Sequence, residues 1–306
     1  MSTWQGKSKG NKLGYRIFVW ILARFGVSPA YGLLRLVVLY YFFFSHKSSR
    51  QLLHFYRNKL GFSLSKALRY LYKNYYRLGQ SIIDKVVLMS GMPNKFSFHF
   101  DGEAHLRKMV YLKEGGILLS AHIGNWDIAG HLLQRLETRI NIVIYDGEYQ
   151  QIKEYLTSVT GQRAVNVIVI KNDLSHIYAI NEALKNNELV CIHADRFIEG
   201  NKTLETTFCG DIARFPMGPF LLAATFKVPV SFVFAVKESN LHYHFFATDL
   251  KYYTNLPKNE QVQVMLHDFA GEMERKVKQY PEQWFNYYDF WHPPAPVRLQ
   301  SQQQQR

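Results

Sequence analysis

Two cysteines in 306 residues, Cys191 and Cys209, cannot build a disulfide framework, and they form no spaced thiol pair for a structural zinc site. Even with His193 two residues from Cys191, no metal site is expected, and the low thiol count fits a reducing compartment. Acid is short as well: 24 Asp and Glu stand against 37 Lys and Arg, a formal charge of +13. An excess of that size calls for an anionic partner: a phospholipid headgroup, an acidic carrier protein, a phosphorylated donor or nucleic acid. Long apolar runs are also missing. Residues 30–44 are strongly apolar but carry Arg35, and they fall short of the ~20 residues that cross a bilayer. No internal repeat or long linker divides the chain, and 47% hydrophobic content is ample for a substantial core.

The chain opens polar and basic through Lys12 and turns apolar at Ile17 to Ala23. That is the outline of a signal peptide, yet no small-residue cleavage site follows and apolar character resumes after Gly26, so no cleavage is expected. Ser28 followed by Pro29 reads as an N-cap with a first-turn proline, starting a helix over residues 30–44. A third helix opens at Ser48 and stops at Gly61; Ser63 caps a long one through Leu68, Leu71, Tyr75, Leu78, Ile82 and Val86, ending near Gly91. Basic clusters flank the apolar region on both sides (Lys7, Lys9, Lys12, Arg16 before it; Lys47, Arg50, Arg57, Lys59 after it). A single crossing sends one cluster to the wrong side, whereas in-plane, monotopic attachment to the cytoplasmic leaflet satisfies both, with Trp20, Tyr40 and Tyr41 at the interface. A single N-terminal anchor, and helices that only cover the rest of the protein, are the alternatives. Residues 1–93 are therefore expected to form a membrane-associating helical region, 94–292 an α/β domain and 293–306 a disordered polar tail.

After Lys95 the pattern changes. Strands are predicted at Phe96 to Phe100, Ile117 to Ala121, Ile140 to Tyr145, Val165 to Ile170, Leu189 to His193 and Val230 to Val236. Helical patterns lie between them at Glu103 to Lys113, Tyr149 to Val159, Ser175 to Leu184 and Gly218 to Phe226. Alternation of this kind predicts an α/β fold, a mostly parallel central sheet flanked by helices, with ligands at the carboxyl ends of strands.

The stretch from Gly115 to Gly130 carries the chemistry. His122 sits at the end of an apolar strand, and Asn125 is the N-cap of the helix that follows, which puts Asp127 in the first turn. A carboxylate on one imidazole nitrogen fixes the tautomer that leaves the other nitrogen free to accept a proton, so His122 is the candidate general base and Asp127 the residue that orients it. The turn contains no Ser or Cys. The nucleophile must come from a substrate, as a hydroxyl or an amine.

His122-Ile123-Gly124-Asn125-Trp126-Asp127 resembles the His-x-x-x-x-Asp/Glu motif of the lysophospholipid and glycerolipid acyltransferase superfamily. Its Gly-Asn-Trp centre is similar to the lauroyl and myristoyl acyltransferases of lipid A biosynthesis. Further matches are Asp195-Arg196, Ile198-Glu199-Gly200, Phe208-Cys209-Gly210, Phe215-Pro216-Met217-Gly218 and the closing Pro281-Glu282-Gln283-Trp284. The resemblance implies transfer of a fatty acyl chain from an acyl carrier protein or coenzyme A thioester to a lipid acceptor, with no further cofactor, no metal and no acyl-enzyme. It places the work at the cytoplasmic face of a bacterial inner membrane. It also implies substrate-side roles for Arg163, Asp195 and Arg196. Gly124 and Asn125 are expected to offer backbone N–H groups to the oxyanion and Trp126 to act as a packing wedge; Phe197, Phe208, Phe215 and Phe220 are candidates to line an acyl groove, with core packing the commoner role for any one of them. The sequence departs from the pattern at Asp127, where Glu is usual, at Tyr145-Asp146, where an aromatic-Arg pair is usual, and at Phe290-Trp291 in place of Arg-Trp. The last two departures remove cations suited to an anionic sugar lipid. An idle lipid-binding relative and a basic nucleic-acid binder are the competing classes; the intact His122 and Asp127 argue against the first, and no recognition motif supports the second, so no nucleic-acid partner is expected.

Overall fold

Apolar runs with few polar breaks favour strands covered on both faces, and that is how they assemble. The computed structural model describes residues 12–126, 128, 134–145, 165–171, 173–197 and 200–291. Its strands are β1 (Ser97–Asp101), β2 (Gly116–Ser120), β3 (Ile140–Tyr145), β4 (Val165–Ile170), β5 (Leu189–His193), β6 (Thr203–Phe208), β7 (Asp211–Pro216), β8 (Val230–Lys237) and β9 (His242–Ala247). Seven of them form one sheet in the order β1-β9-β8-β2-β5-β3-β4, parallel throughout except where β9 returns against β8. The expected mostly parallel sheet is present. β2 and β8, near its centre, are buried at every position, while β1 at the edge alternates between exposed and half-buried.

The helices are α1 (Lys12–Phe25), α2 (Val27–Phe44), α3 (His46–His54), α4 (Leu64–Met89), α5 (Glu103–Leu112), α6 (Ser175–Lys185), α7 (Met217–Phe226) and α8 (Lys258–Gln279). Ser63 caps α4 as expected, its Oγ accepting the Lys66 N–H at 3.3 Å. α2 starts earlier than predicted: Gly26, at φ +78°, is the N-cap, so Ser28 and Pro29 lie inside the first turn, where a missing N–H costs nothing. α3 runs into a short π-helical turn, Phe55–Lys59, before Gly61. The β6/β7 hairpin, β9 and α8 were not anticipated. The helix expected over 149–159 and the 293–306 tail lie outside the described residues.

One buried cluster joins Leu34 and Val38 of α2, Leu71 and Val87 of α4, Ile117 and Leu119 of β2, Phe232 of β8 and Phe269 of α8. The N-terminal helices therefore share their core with the sheet. A polar knot reinforces the joint. Asp84 of α4, fully buried, pairs with Lys237 of β8 and accepts from the hydroxyls of Tyr31 of α2 and Tyr243 of β9. Burial opposes charge on both partners: it raises Asp84 and pushes Lys237 down to about 8, each against the pull of the other.

Candidate active site

β2 and β5 are parallel neighbours in a register that sets Ser120 opposite His193. Two residues past that pair, His122 and Asp195 leave their strands side by side, and the Ala194 N–H bonds the Ser120 carbonyl across the gap at 2.8 Å. Asp195 then holds His122 twice: Oδ2 accepts the His122 backbone N–H at 2.9 Å, and Oδ1 accepts from Nδ1 at 2.7 Å. Both residues are almost wholly buried, at 4% and 1% exposure. An ionised carboxylate only accepts, so the contact assigns the proton to Nδ1 and leaves the lone pair on Nε2. Burial alone raises the Asp195 pKa; the facing imidazole, by charge and hydrogen bond, and then Arg196, outweigh it and hold the carboxyl well below the usual range.

The strand end is braced from outside the sheet. Ile123 forms an antiparallel bridge with Trp284: the Gly124 N–H bonds the Gln283 carbonyl at 2.8 Å, and the Phe285 N–H bonds the His122 carbonyl at 3.0 Å. Gln283 in turn spends its side-chain amide on both backbone groups of Lys237, at 2.7 and 2.9 Å. Asn74 of α4, fully buried, donates to the Glu282 and Trp284 carbonyls at 3.1 and 3.0 Å. The closing Pro-Glu-Gln-Trp signature thus acts as a brace on the histidine turn.

Gly124, at φ +68°, lies so close to β8 that an added Cβ would collide with the Ala235 carbonyl oxygen. Asn125 is the N-cap expected: its Oδ1 accepts the Ile128 N–H at 3.4 Å, while Nδ2 donates to the Ser81 carbonyl and the Tyr243 hydroxyl. Its backbone N–H, however, bonds the Ala235 carbonyl at 2.7 Å. With the Gly124 N–H also taken, neither residue has the free donor that an oxyanion would need, and the expectation that they supply one is corrected.

A sequence model of the family described as Bacterial lipid A biosynthesis acyltransferase matches residues 68–292, well over half the chain. The chain belongs to that family. That family is described as one of acyltransferases. It is similar to phosphatidylinositol mannoside acyltransferases of two Mycobacterium tuberculosis strains, H37Rv and CDC 1551. Each is 30% identical over 127 residues, and the match spans 40% of this chain and 39% of theirs. The 1-acyl-sn-glycerophosphate (LPA) acyltransferase of Thermotoga maritima superimposes with a TM-score of 0.39 at 13% identity, covering 80% of this chain and 97% of that one.

Among the residues singled out from the sequence, the acyltransferase brings His122, Asp195, Gly124 and Asn125 together; Asp127 and Arg163 lie outside the described residues. Asp195, expected on the substrate side, has both oxygens committed to His122. Arg196 donates to the Phe285 carbonyl at 2.6 Å. Trp126 packs edge-on against His122, ring centroids 4.8 Å apart. Phe208, Phe215 and Phe220 do not line a groove: all three are fully buried, packed among Trp284, Phe269 and Phe290. Burial pushes both the Cys191 and Cys209 thiols up to about 12, which disfavours the thiolate. Among the described residues, two groups have the ligand types for a metal ion: His122, His193 and Asp195 at the site, and His99, Asp101 and His244 on the edge strands. His193 is the site residue not anticipated, although it stands two places before Asp195, and strand alternation sends both toward the same side.

Proposed function

We propose that this acyltransferase moves a fatty acyl chain from an acyl carrier protein or coenzyme A thioester to a hydroxyl, or amine, of a glycolipid of the lipid A type, at the cytoplasmic face of the inner membrane. The observation that carries the reading is the His122–Asp195 contact, a buried carboxylate that leaves Nε2 as the only ring nitrogen able to take a proton. In the ternary complex Nε2 removes the acceptor proton as its oxygen attacks the thioester carbonyl, and Asp195 steadies the imidazolium formed. Asp127, the acid of the sequence motif, remains in the proposal as a second candidate to support the base. Membrane attachment is supported by α2, the one helix among the described residues long and apolar enough to cross a bilayer. Its stripe of Ala30, Tyr31, Leu34 and Val38 is buried while Leu36, Tyr40, Phe43 and Phe44 are exposed, which favours an in-plane pose over a crossing.

A second acceptor class, an aminolipid or pigment lipid, is favoured by the missing cations at Tyr145-Asp146 and Phe290-Trp291. Transfer of labelled acyl chains from both thioester donors to extracted membrane lipids, resolved by mass spectrometry, names the acceptor. In that assay His122→Gln is expected to lower kcat by about 10²- to 10⁴-fold. Asp195→Asn is expected to cost more than Asp127→Asn, because Asp195 sits on Nδ1. Undiminished transfer by His122→Gln removes the general base and favours an idle lipid-binding role.

A further inference from the structure

A thioester carbonyl gains negative charge as it is attacked, and the Gly124 and Asn125 N–H groups are already spent on the Gln283 and Ala235 carbonyls. The donor has to come from elsewhere. Beside His122, on the neighbouring strand, is His193. The two imidazoles lie 4.5 Å apart between centroids with their planes 32° from parallel, and the Trp126 edge meets both. A ring nitrogen of each histidine and an Asp195 oxygen fall within 4.8 Å of one another. His193 Nδ1 is buried and has no hydrogen-bond partner among the described residues.

A buried polar atom without a partner is costly in a resting protein, and here it belongs to a ring that stands beside the reacting base, where a substrate can supply the partner. We propose that His193, as a neutral imidazole, donates a hydrogen bond from Nδ1 to the acyl carbonyl oxygen and so is a second catalytic histidine. The proposal rests on the reading of His122 as general base. Neutrality is built in, because burial first and the adjacent His122 second disfavour a charge on this ring. It therefore does not compete for the proton that His122 takes. Neutral imidazole serves elsewhere as an electrophile toward a carbonyl in the same way.

In the attack, the acceptor oxygen bonds to the carbonyl carbon while its proton passes to His122 Nε2. The C=O π pair moves onto the carbonyl oxygen, which accepts the His193 N–H. On collapse the C=O re-forms, the C–S pair leaves with sulfur, and the sulfur takes the proton back from His122. An ester and a thiol are released, and His193 has lost nothing.

The test uses the full-length protein with His193→Phe, which keeps an aromatic ring against His122 but no nitrogen, and His193→Asn, whose side-chain N–H falls near the former Nδ1. Removing one oxyanion donor is expected to lower kcat by about 10²-fold in His193→Phe, with KM little changed and the melting temperature kept or raised. His193→Asn should recover at least ~10-fold of that loss. A ring that serves only packing gives the reverse order, Phe active and Asn impaired, and that result overturns the proposal. If His193→Phe keeps wild-type kcat while His122→Gln abolishes transfer, the second histidine is wrong and the general base stands. Transfer surviving in His122→Gln defeats the reading on which both rest.

Discussion

Between His122 and Asp195 the deciding quantity is which ring nitrogen is occupied. With Nδ1 tied to a carboxylate, the imidazole presents a single basic site, Nε2, and in the proposed reaction that site takes its proton from a bound acceptor. His193, alongside, writes itself into the acid stability of the protein. Its pKa is pushed down to about 3 by burial, from an ordinary value near 6.5, so between those pH values the unfolded chain binds a proton that the native state refuses. Stability is therefore full above about pH 6.5 and is lost on acidification, by up to about 1.4 kcal/mol per pH unit down to about pH 3. Asp195 acts in the same direction at lower pH, since a depressed carboxyl contributes stability that disappears as it is protonated. Urea midpoints measured from pH 7.5 to 4.5 should fall more steeply for wild type than for His193→Phe, which retains Asp195; parallel slopes would contradict a neutral buried imidazole at this position. At this scale His122 and Asp195 were both legible as polar residues at strand ends. That they face each other was not, because the register of two parallel strands about 70 residues apart leaves no local trace.

Elements, rather than single side chains, hold the site still. α4 reaches the histidine turn through an intermediary: Asn74 grips the segment 282–284, and that segment grips residues 122–124 by main-chain bonds. Tyr287 completes the joint by donating its hydroxyl to Asn74 Oδ1 at 2.8 Å. Asn74→Ala strips partners from two buried carbonyls and a buried hydroxyl, at roughly 1–3 kcal/mol for each group left unsatisfied, so a loss of about 3 kcal/mol or more is expected in urea unfolding. Because the brace positions His122, kcat should fall as well at temperatures where the variant is fully folded. A variant as stable as wild type would show that the turn stands without it. α5, α6, α7 and the apolar strands β2, β3, β4, β5 and β8 were readable from periodicity. The β6/β7 hairpin was not, because β6 is a polar run and its two-residue turn is Cys209-Gly210, with φ of +50° and +85°, where Asn-Gly is the usual signal. α8 buries Val262, Met265, Leu266, Phe269, Ala270, Met273 and Val277, a helical stripe present in the sequence but diluted by charged residues all along the other face.

At the scale of the whole molecule, α1 and α2 carry a concentration of exposed apolar side chains. α1 and α2 expose Trp20, Leu36, Tyr40, Phe43 and Phe44 while their opposite face joins the common core, and an excess of basic charge supplies attraction to anionic lipid. Leu36 and Phe43 are 65% and 61% exposed, so replacing both with Ser removes apolar surface proposed to face the membrane without touching the core. At about 1.5 kcal/mol or more for each side chain, partition onto anionic vesicles should fall at least ~10²-fold with an unchanged melting temperature. Flotation equal to wild type would show that this face does not hold the membrane. Two things followed from the order of residues alone. One is the layered α/β class, since apolar periodicity is a local property of the chain. The other is the family, since the motifs that mark it are contiguous stretches of sequence. Which acid holds the base, which strand carries a second histidine and which segment braces the turn were decided only by folding. Each depends on residues far apart in the chain being brought within hydrogen-bonding distance, and such contacts exist only once the sheet has chosen its strand order.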